Sequence, residues 1–207
     1  MPKLIYLPLQ GRAQMIRYVL DVKGVEFEEE TVSLEQIAEM KAAGTYGHKT
    51  QVPIFVRDDG TYMSQSTAIL KALCMEHGYG PQNPTVMYES EWFHGIIVDV
   101  MEGPNRIALL LDEPTPEQVA GCSALLDDFM DRCEARFADG RVHVAGDQIT
   151  WADFCLLAFL ETIYENPRAK HEAIRNSCAA KMPTCTNVLR VMAPMRELCA
   201  NSIANAW

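Results

Sequence analysis

Gly146-Asp147-Gln148-Ile149-Thr150-Trp151-Ala152-Asp153-Phe154 is the stretch of this chain that decides its fold. Thr150 precedes an apolar run and Asp153 follows three residues later, so each side chain can accept a hydrogen bond from the other residue's backbone amide and start a helix. Leu156 and Leu157 continue the apolar run. We therefore give Thr150 and Asp153 a structural role at the start of the core helix of an all-helical domain.

The composition excludes several classes of function. The 207 residues carry a formal net charge of −10, which argues against nucleic acid as a partner, because phosphate-backbone binding depends on clustered Lys and Arg. Neither a run of about 18 apolar residues nor the layout of a secretory signal is present in the sequence. We expect a cytoplasmic protein that binds neither nucleic acid nor a membrane.

The cysteines and histidines give no metal-binding pattern. Seven cysteines form an odd set without a Cys-x-x-Cys pair, and the five histidines show no His-Glu-x-x-His arrangement. We expect buried free thiols in a reducing compartment, and no metal. The cysteines are Cys74, Cys122, Cys133, Cys155, Cys178, Cys185 and Cys199.

A change in periodicity divides the chain into two predicted domains, residues 1–79 and 85–207, joined by a linker rich in Gly and Pro. The first domain mixes short strands with helices, and its order predicts a four-stranded mixed sheet. Its predicted strands are 3–7, 27–32, 54–56 and 61–63, and its helices are 11–22 and one that starts at residue 66. The second domain is predicted to contain helices 85–111, 116–138, 150–165, 169–178 and 184–200.

Two residues of the first strand-to-helix turn are candidates for chemistry. Tyr6 lies at the carboxyl end of the first strand, where open α/β layers usually place ligands. Arg12 lies at the start of a helix, where its charge opposes the helix dipole, so an anion or a phenol would explain it. Packing for Tyr6 and an exposed ion pair for Arg12 are the alternatives at this point.

Two further stretches suit a small acidic peptide. Gln51-Val52-Pro53 leads into a strand, and a cis peptide bond before the proline would present the Val52 backbone as a strand edge for an extended peptide. Gln65-Ser66 opens a helix, where the free first-turn amides and the Ser66 hydroxyl suit a carboxylate.

Together these stretches resemble the cytosolic glutathione transferase family over nearly the whole chain. The resemblance rests on Tyr6, Gly11-Arg12-Ala13 with Ile16-Arg17, Gln51-Val52-Pro53, Gln65-Ser66 and the Asp147 to Phe154 motif. It implies a thioredoxin-like α/β N-terminal domain followed by an all-α C-terminal domain. Tyrosine in the first strand is similar to the sigma, mu, pi and alpha members, and we favour a sigma-like one.

The resemblance also implies roles for particular residues. Tyr6 would donate a hydrogen bond to the glutathione sulfur, and Arg12 would support the thiolate. Tryptophan is absent between Ser33 and Thr50, where relatives use a Trp and a Lys for the glycyl carboxylate, so Lys41 or Lys49 would supply the charge, with His48 as a weaker option. The implied glutathione-binding residues are Tyr6, Arg12, Lys41, Lys49, Gln51, Val52, Pro53, Gln65, Ser66 and, from the partner subunit, Asp99.

The apolar substrate is expected beside the sulfur. The candidate lining residues are Leu7, Leu9, Met101, Asn105, Ile107 and Trp207, and an ordinary helix core is the alternative for the helical ones. The family further implies glutathione as co-substrate and a homodimer. The expected activity is conjugation of glutathione to hydrophobic electrophiles in detoxification. A glutathione-dependent isomerase of the prostaglandin type, or a non-catalytic structural or ligand-binding relative, is the alternative.

Overall fold

The computed structural model describes residues 1–47, 51–101, 113–166 and 170–204. The chain forms two compact units: one contains Met1–Gly80 and the C-terminal segment from Cys199, and the other contains Pro81–Leu198. The C-terminal segment thus groups with the sheet-containing unit, whereas the sequence analysis places it in the helical domain. Its hydrogen bond from Ser202 to Asp21 accounts for part of this difference.

The first unit is built on the mixed four-stranded sheet that the sequence predicts. Its strands are β1 (Lys3–Tyr6), β2 (Glu28–Thr31), β3 (Ile54–Val56) and β4 (Tyr62–Ser64), in the spatial order β2-β1-β3-β4. β1 and β2 are parallel, whereas β3 is antiparallel to both β1 and β4. The connection from β1 to β2 therefore needs a helix, and β3 and β4 form a hairpin.

Three helices accompany the sheet: α1 (Gln14–Val22), α2 (Leu34–Ala43) and α3 (Ser66–Glu76). The predicted helix 11–22 begins instead with a short 3₁₀ helix, Gly11–Ala13, before α1. The predicted elements do not include α2. Apolar periodicity gives little signal there because Ile37 is its only buried residue.

The second unit contains helices α4 (Pro84–Met101), α5 (Pro116–Phe137), α6 (Trp151–Phe159), α7 (Glu172–Lys181) and α8 (Thr186–Leu198). The predicted helix 150–165 is α6 followed by a wider π turn, Leu160–Tyr164. The predicted helix 169–178 lies further along the chain, as α7. A last short helix, α9 (Ala200–Ala204), belongs to the first unit.

The start of α6 is a buried capping box. The Thr150 amide donates to Asp153 Oδ2 at 2.8 Å, and the Ala152 amide donates to Thr150 Oγ1 at 3.3 Å. The other carboxylate oxygen of Asp153 accepts from the Val144 amide at 2.9 Å. Ser90 on α4 also donates to the Thr150 hydroxyl at 3.0 Å. This one carboxylate therefore joins the helix start to the loop before it.

All seven cysteines are buried and unbridged, as the sequence predicts for free thiols. Burial raises the pKa of the Cys122 thiol to about 11 and that of Cys199 to about 12, so these thiols stay protonated at neutral pH. Within the described ranges, no helix combines the length and the apolarity needed to cross a bilayer.

Candidate active site

Tyr6 is the last residue of β1, and its side chain is almost fully enclosed, with 7% of the residue exposed. Burial raises the pKa of the Tyr6 phenol above its ordinary value of 10, while the bond from Arg12 and the charges of Arg12 and Arg17 act in the opposite direction. The hydroxyl is therefore neutral at physiological pH. A neutral phenol carries a proton that it can donate.

The backbone amide of Arg12 donates a hydrogen bond to the Tyr6 hydroxyl oxygen at 3.0 Å. This bond uses the oxygen as an acceptor and leaves the hydroxyl proton available for another acceptor. The sequence analysis assigned Arg12 a role through its charge, and the structure adds this contact through its main chain. Sequence alone gives no signal for a backbone contact of this kind.

Arg17 on α1 is a third member of the Tyr6 environment, and the sequence analysis used it only as part of the resemblance. Its guanidinium carbon lies 5.9 Å from the centre of the Tyr6 ring. The same group donates to the backbone oxygens of Leu9 at 3.4 Å and Gln10 at 3.2 Å, and Nε donates to Glu29 on β2 at 2.8 Å. Arg17 thus ties the turn after Tyr6 to a helix and a strand.

Gln51 and Val52 precede β3, and the Val52–Pro53 peptide bond is cis. Gln51 is exposed, Val52 is half-buried and Pro53 is buried. Gln65 Nε2 donates to Gln51 Oε1 at 3.2 Å, which brings two of the predicted glutathione-binding side chains into direct contact.

Gln65 has a backbone conformation that is unusual for its residue type, with φ +73°. Non-glycine residues held at positive φ cost of order 1–3 kcal/mol and often occur at ligand-binding sites. Gln65 is the residue directly before α3, and its side chain does not cap that helix. By contrast, α2, α5 and α6 each start with a reciprocal capping box.

Ser66, the first residue of α3, is buried with 6% exposed. The first turn of α3 contains no acidic side chain, so no carboxylate of the helix itself opposes the positive end of its dipole. This helix start, with a hydroxyl and backbone amides together, has the chemistry of an anion-binding site.

The sheet register brings the three stretches together. Ile5 pairs with Ile54, and Ile54 pairs with Ser64. Continued one residue beyond these pairs, the same register leads to Tyr6, Pro53 and Gln65. We call this end of the sheet, where β1 ends and α3 begins, the Tyr6 end. It presents a phenol, a polypeptide edge and a helix N-terminus side by side.

The comparisons with known proteins match both units. The family profile described as "Glutathione S-transferase, N-terminal domain" matches residues 12–76, and "Glutathione S-transferase, C-terminal domain" matches residues 116–177. Together the two matches span more than half of the 207 residues. The chain belongs to the glutathione S-transferase family. The resemblance stated from the sequence is confirmed.

Curated relatives and a solved structure agree with this family. The chain is 26% identical to glutathione S-transferase 3 of Caenorhabditis elegans over 174 residues, which is 78% of this chain and 79% of the relative. It is 28% identical to glutathione S-transferase P 1 of Xenopus laevis, over 76% of this chain and 74% of the relative. The fold superposes on the crystal structure of the glutathione S-transferase from Ascaris lumbricoides with a TM-score of 0.79 at 21% identity, covering 100% of this chain and 98% of that one.

The remaining predicted glutathione ligands of this family member lie in several places. Lys41 is exposed in the last turn of α2. Asp99 is exposed on α4, in the second unit. His48 and Lys49 lie outside the described residues.

The predicted lining residues also differ in their surroundings. Leu9 is 52% exposed, whereas Leu7 is half-buried and packs against the buried cluster that includes Ile5 and Ile54. Met101 is the last residue of α4 and is half-buried. Asn105, Ile107 and Trp207 lie outside the described residues, so their roles stay predictions.

Proposed function

We propose that this protein binds glutathione at the Tyr6 end of the sheet and conjugates its sulfur to hydrophobic electrophiles. The observation that carries the proposal is the state of the Tyr6 hydroxyl, which is buried, neutral and already accepting a hydrogen bond from the Arg12 amide. Its remaining proton is the donor that a bound thiolate requires.

Four groups of residues would hold the tripeptide. The Val52 backbone would pair with the cysteinyl residue, and the Ser66 hydroxyl with the first amides of α3 would bind the γ-glutamyl carboxylate. Gln65 and Gln51, already bonded to each other, would face the same end of the peptide. Lys41 or Lys49 would pair with the glycyl carboxylate, in place of the Trp and Lys of relatives. The site needs no metal in this scheme.

The energetics of thiol activation match one strong hydrogen bond. A free alkyl thiol has a pKa of about 8.5, so lowering it by about two units requires roughly 2.7 kcal/mol in favour of the thiolate. A hydrogen bond to a charged group contributes about 1.5–3 kcal/mol, which is enough for most of this difference. The field of Arg12 and Arg17 acts in the same direction, because both are cations near the phenol.

The chemical step is a displacement at carbon. With a chlorodinitrobenzene substrate, the sulfur lone pair forms the new S–C bond, and chloride leaves with the electrons of the C–Cl bond. The thiol proton has been released to solvent before this step. Leu7 and Leu9, in the turn after Tyr6, would supply apolar surface for the electrophile, and the roles of Met101, Asn105, Ile107 and Trp207 stay predictions from the sequence.

The wider setting is proposed from the family. We infer a sigma-like transferase of the tyrosine type that works in the cytoplasm as a homodimer, in which the partner subunit's Asp99 contacts the γ-glutamyl ammonium. Detoxification of hydrophobic electrophiles is the corresponding role. Product analysis with a prostaglandin endoperoxide separates conjugation from isomerisation.

The test of the proposal is Tyr6→Phe, with Tyr46→Phe as the matched control. Tyr46 is half-buried and packs edge-on against Tyr62, a contact that Phe retains. We expect Tyr6→Phe to bind glutathione with nearly unchanged affinity by calorimetry and to lose well over tenfold in conjugation rate. Tyr46→Phe should conjugate like the wild type. Equal rates for Tyr6→Phe and the wild type would discard the role of Tyr6, and no binding of glutathione by the wild type would discard the function.

A further inference from the structure

Gly11 makes the closest approach to the Tyr6 hydroxyl of any glycine in the described part of the chain. Its φ is +42°, and a Cβ at this position would lie 2.6 Å from the Tyr6 hydroxyl oxygen and 3.3 Å from Tyr6 Cε1. It would also lie 2.5 Å from Leu9 Cδ1. Nonbonded carbon and oxygen atoms do not approach this closely, so any side chain at residue 11 must displace its neighbours.

The two neighbours differ in how easily they can move. Leu9 Cδ1 is the tip of a flexible side chain that is 52% exposed, so it can rotate into solvent. The Tyr6 ring is rigid and buried, and its hydroxyl is held by the Arg12 amide. A methyl group at residue 11 would therefore push on the phenol or separate it from Arg12.

Other glycines separate this steric demand from backbone strain. Gly24 has φ +62°, and a Cβ there would meet no atom within 4 Å. Gly24→Ala adds only the backbone strain of positive φ, whereas Gly11→Ala adds that strain and a steric clash with Tyr6.

We propose that Gly11 is a positioning residue for the transferase reaction. Because Gly11 has no side chain, the backbone passes directly beside the Tyr6 hydroxyl, and the next amide, that of Arg12, donates a hydrogen bond to the phenol oxygen. This bond orients the phenol so that its own hydroxyl proton is directed at the glutathione sulfur. This inference rests on the proposed function, because it assigns Gly11 a part in activating the bound thiol.

The experiment is a double-mutant cycle between residues 6 and 11. Gly11→Ala and the control Gly24→Ala are each made in the wild type and in Tyr6→Phe, and kcat/KM and the pKa of bound glutathione are measured. With Tyr6 present and at a pH well below the pKa of the bound thiol, Gly11→Ala should lower kcat/KM about tenfold and raise the thiol pKa by about one unit, because each unit lowers the thiolate fraction tenfold there. In Tyr6→Phe, the same change should cost less than about threefold, because the colliding oxygen is gone. Gly24→Ala should leave the thiol pKa unchanged in both backgrounds.

The outcomes separate this inference from the function that it deepens. Equal losses from Gly11→Ala in both backgrounds, or an unchanged thiol pKa, would overturn the role of Gly11 while wild-type conjugation stands. Absence of conjugation by the wild type would overturn the proposed function first. If Gly11→Ala does not fold, urea unfolding of Tyr6→Phe/Gly11→Ala decides: recovery of the fold supports the collision with the hydroxyl, and failure to recover contradicts it.

Discussion

At the scale of single residues, two features of the Tyr6 phenol have opposite effects on its pKa. Burial raises the pKa and so favours the protonated phenol. The hydrogen bond that the phenol oxygen accepts from the Arg12 amide lowers the pKa. Burial is the larger influence on its pKa, so the phenol is a donor over the whole neutral range. Of the phenol and the bound sulfur, the sulfur is therefore the group expected to change its charge near neutral pH.

This state of Tyr6 predicts the pH dependence of catalysis. The value of kcat/KM should rise with pH as bound glutathione ionises, with an apparent pKa below the value of about 8.5 for a free thiol. It should then stay level to about pH 9, because burial raises the pKa of Tyr6 above its ordinary value and keeps the phenol protonated there. Initial rates at saturating glutathione and low electrophile concentration, corrected for the uncatalysed reaction, give this profile as kcat/KM for the electrophile. A decline with an apparent pKa below 9 would contradict the protonation state of Tyr6.

At the scale of elements, the start of α6 shows how one carboxylate fixes a helix. Asp153 is completely buried and accepts hydrogen bonds from two backbone amides, those of Thr150 and Val144. Burial raises the pKa of its carboxyl group, and the two bonds compensate for part of that cost. Removing the carboxylate would leave both amides buried without their acceptor.

Asp153→Ala should therefore lower the free energy of unfolding by about 3 kcal/mol, since each orphaned buried amide costs about 1–3 kcal/mol. Thr115→Ala, at the exposed capping box of α5, is the matched control and should cost about 1 kcal/mol. Urea unfolding followed by circular dichroism measures both. Equal losses for the two variants would show that burial adds nothing to the cap.

The sequence predicts the elements that have strong local signals. The hairpin, the mixed sheet and the α6 cap follow from turn residues, apolar alternation and paired capping residues. The sequence analysis did not predict α2, because a helix with one buried residue has almost no apolar periodicity. Its signals are at its ends: Ser33 and Gln36 form a capping box, and Gly44 ends the helix with φ +65°. The sequence analysis did not predict the hydrogen bond from the Arg12 amide or the close approach of Gly11. Both are contacts of the main chain with Tyr6, and main-chain contacts leave no signal in the side-chain pattern.

At the scale of the whole molecule, Asp99 is exposed on α4 of the helical unit. In the proposed function, the partner subunit's Asp99 contacts the glutathione that is bound by the first copy, in the homodimer that the family implies. The exposed carboxylate and the Tyr6 end would then belong to two subunits of one assembly.

Asp99→Asn tests this arrangement. It should raise the KM for glutathione several-fold and leave kcat nearly unchanged, because in the proposed site the partner's Asp99 would contact the γ-glutamyl ammonium and not the sulfur. Asp147→Asn, also exposed in the helical unit, is the control and should change neither constant. Sedimentation equilibrium of the wild type should give twice the chain mass. A monomer with full activity, or an unchanged KM in Asp99→Asn, would remove Asp99 from the site.

The central claim is that Tyr6 stabilises the thiolate of bound glutathione, and ultraviolet difference titration of the mercaptide band measures this directly. The protein saturated with glutathione is titrated from pH 5 to pH 10, beside Tyr6→Phe and free glutathione. We predict a bound-thiol pKa about two units below the free value of about 8.5 in the wild type, and a return to near the free value in Tyr6→Phe. The same pKa in the wild type and in Tyr6→Phe would contradict the account.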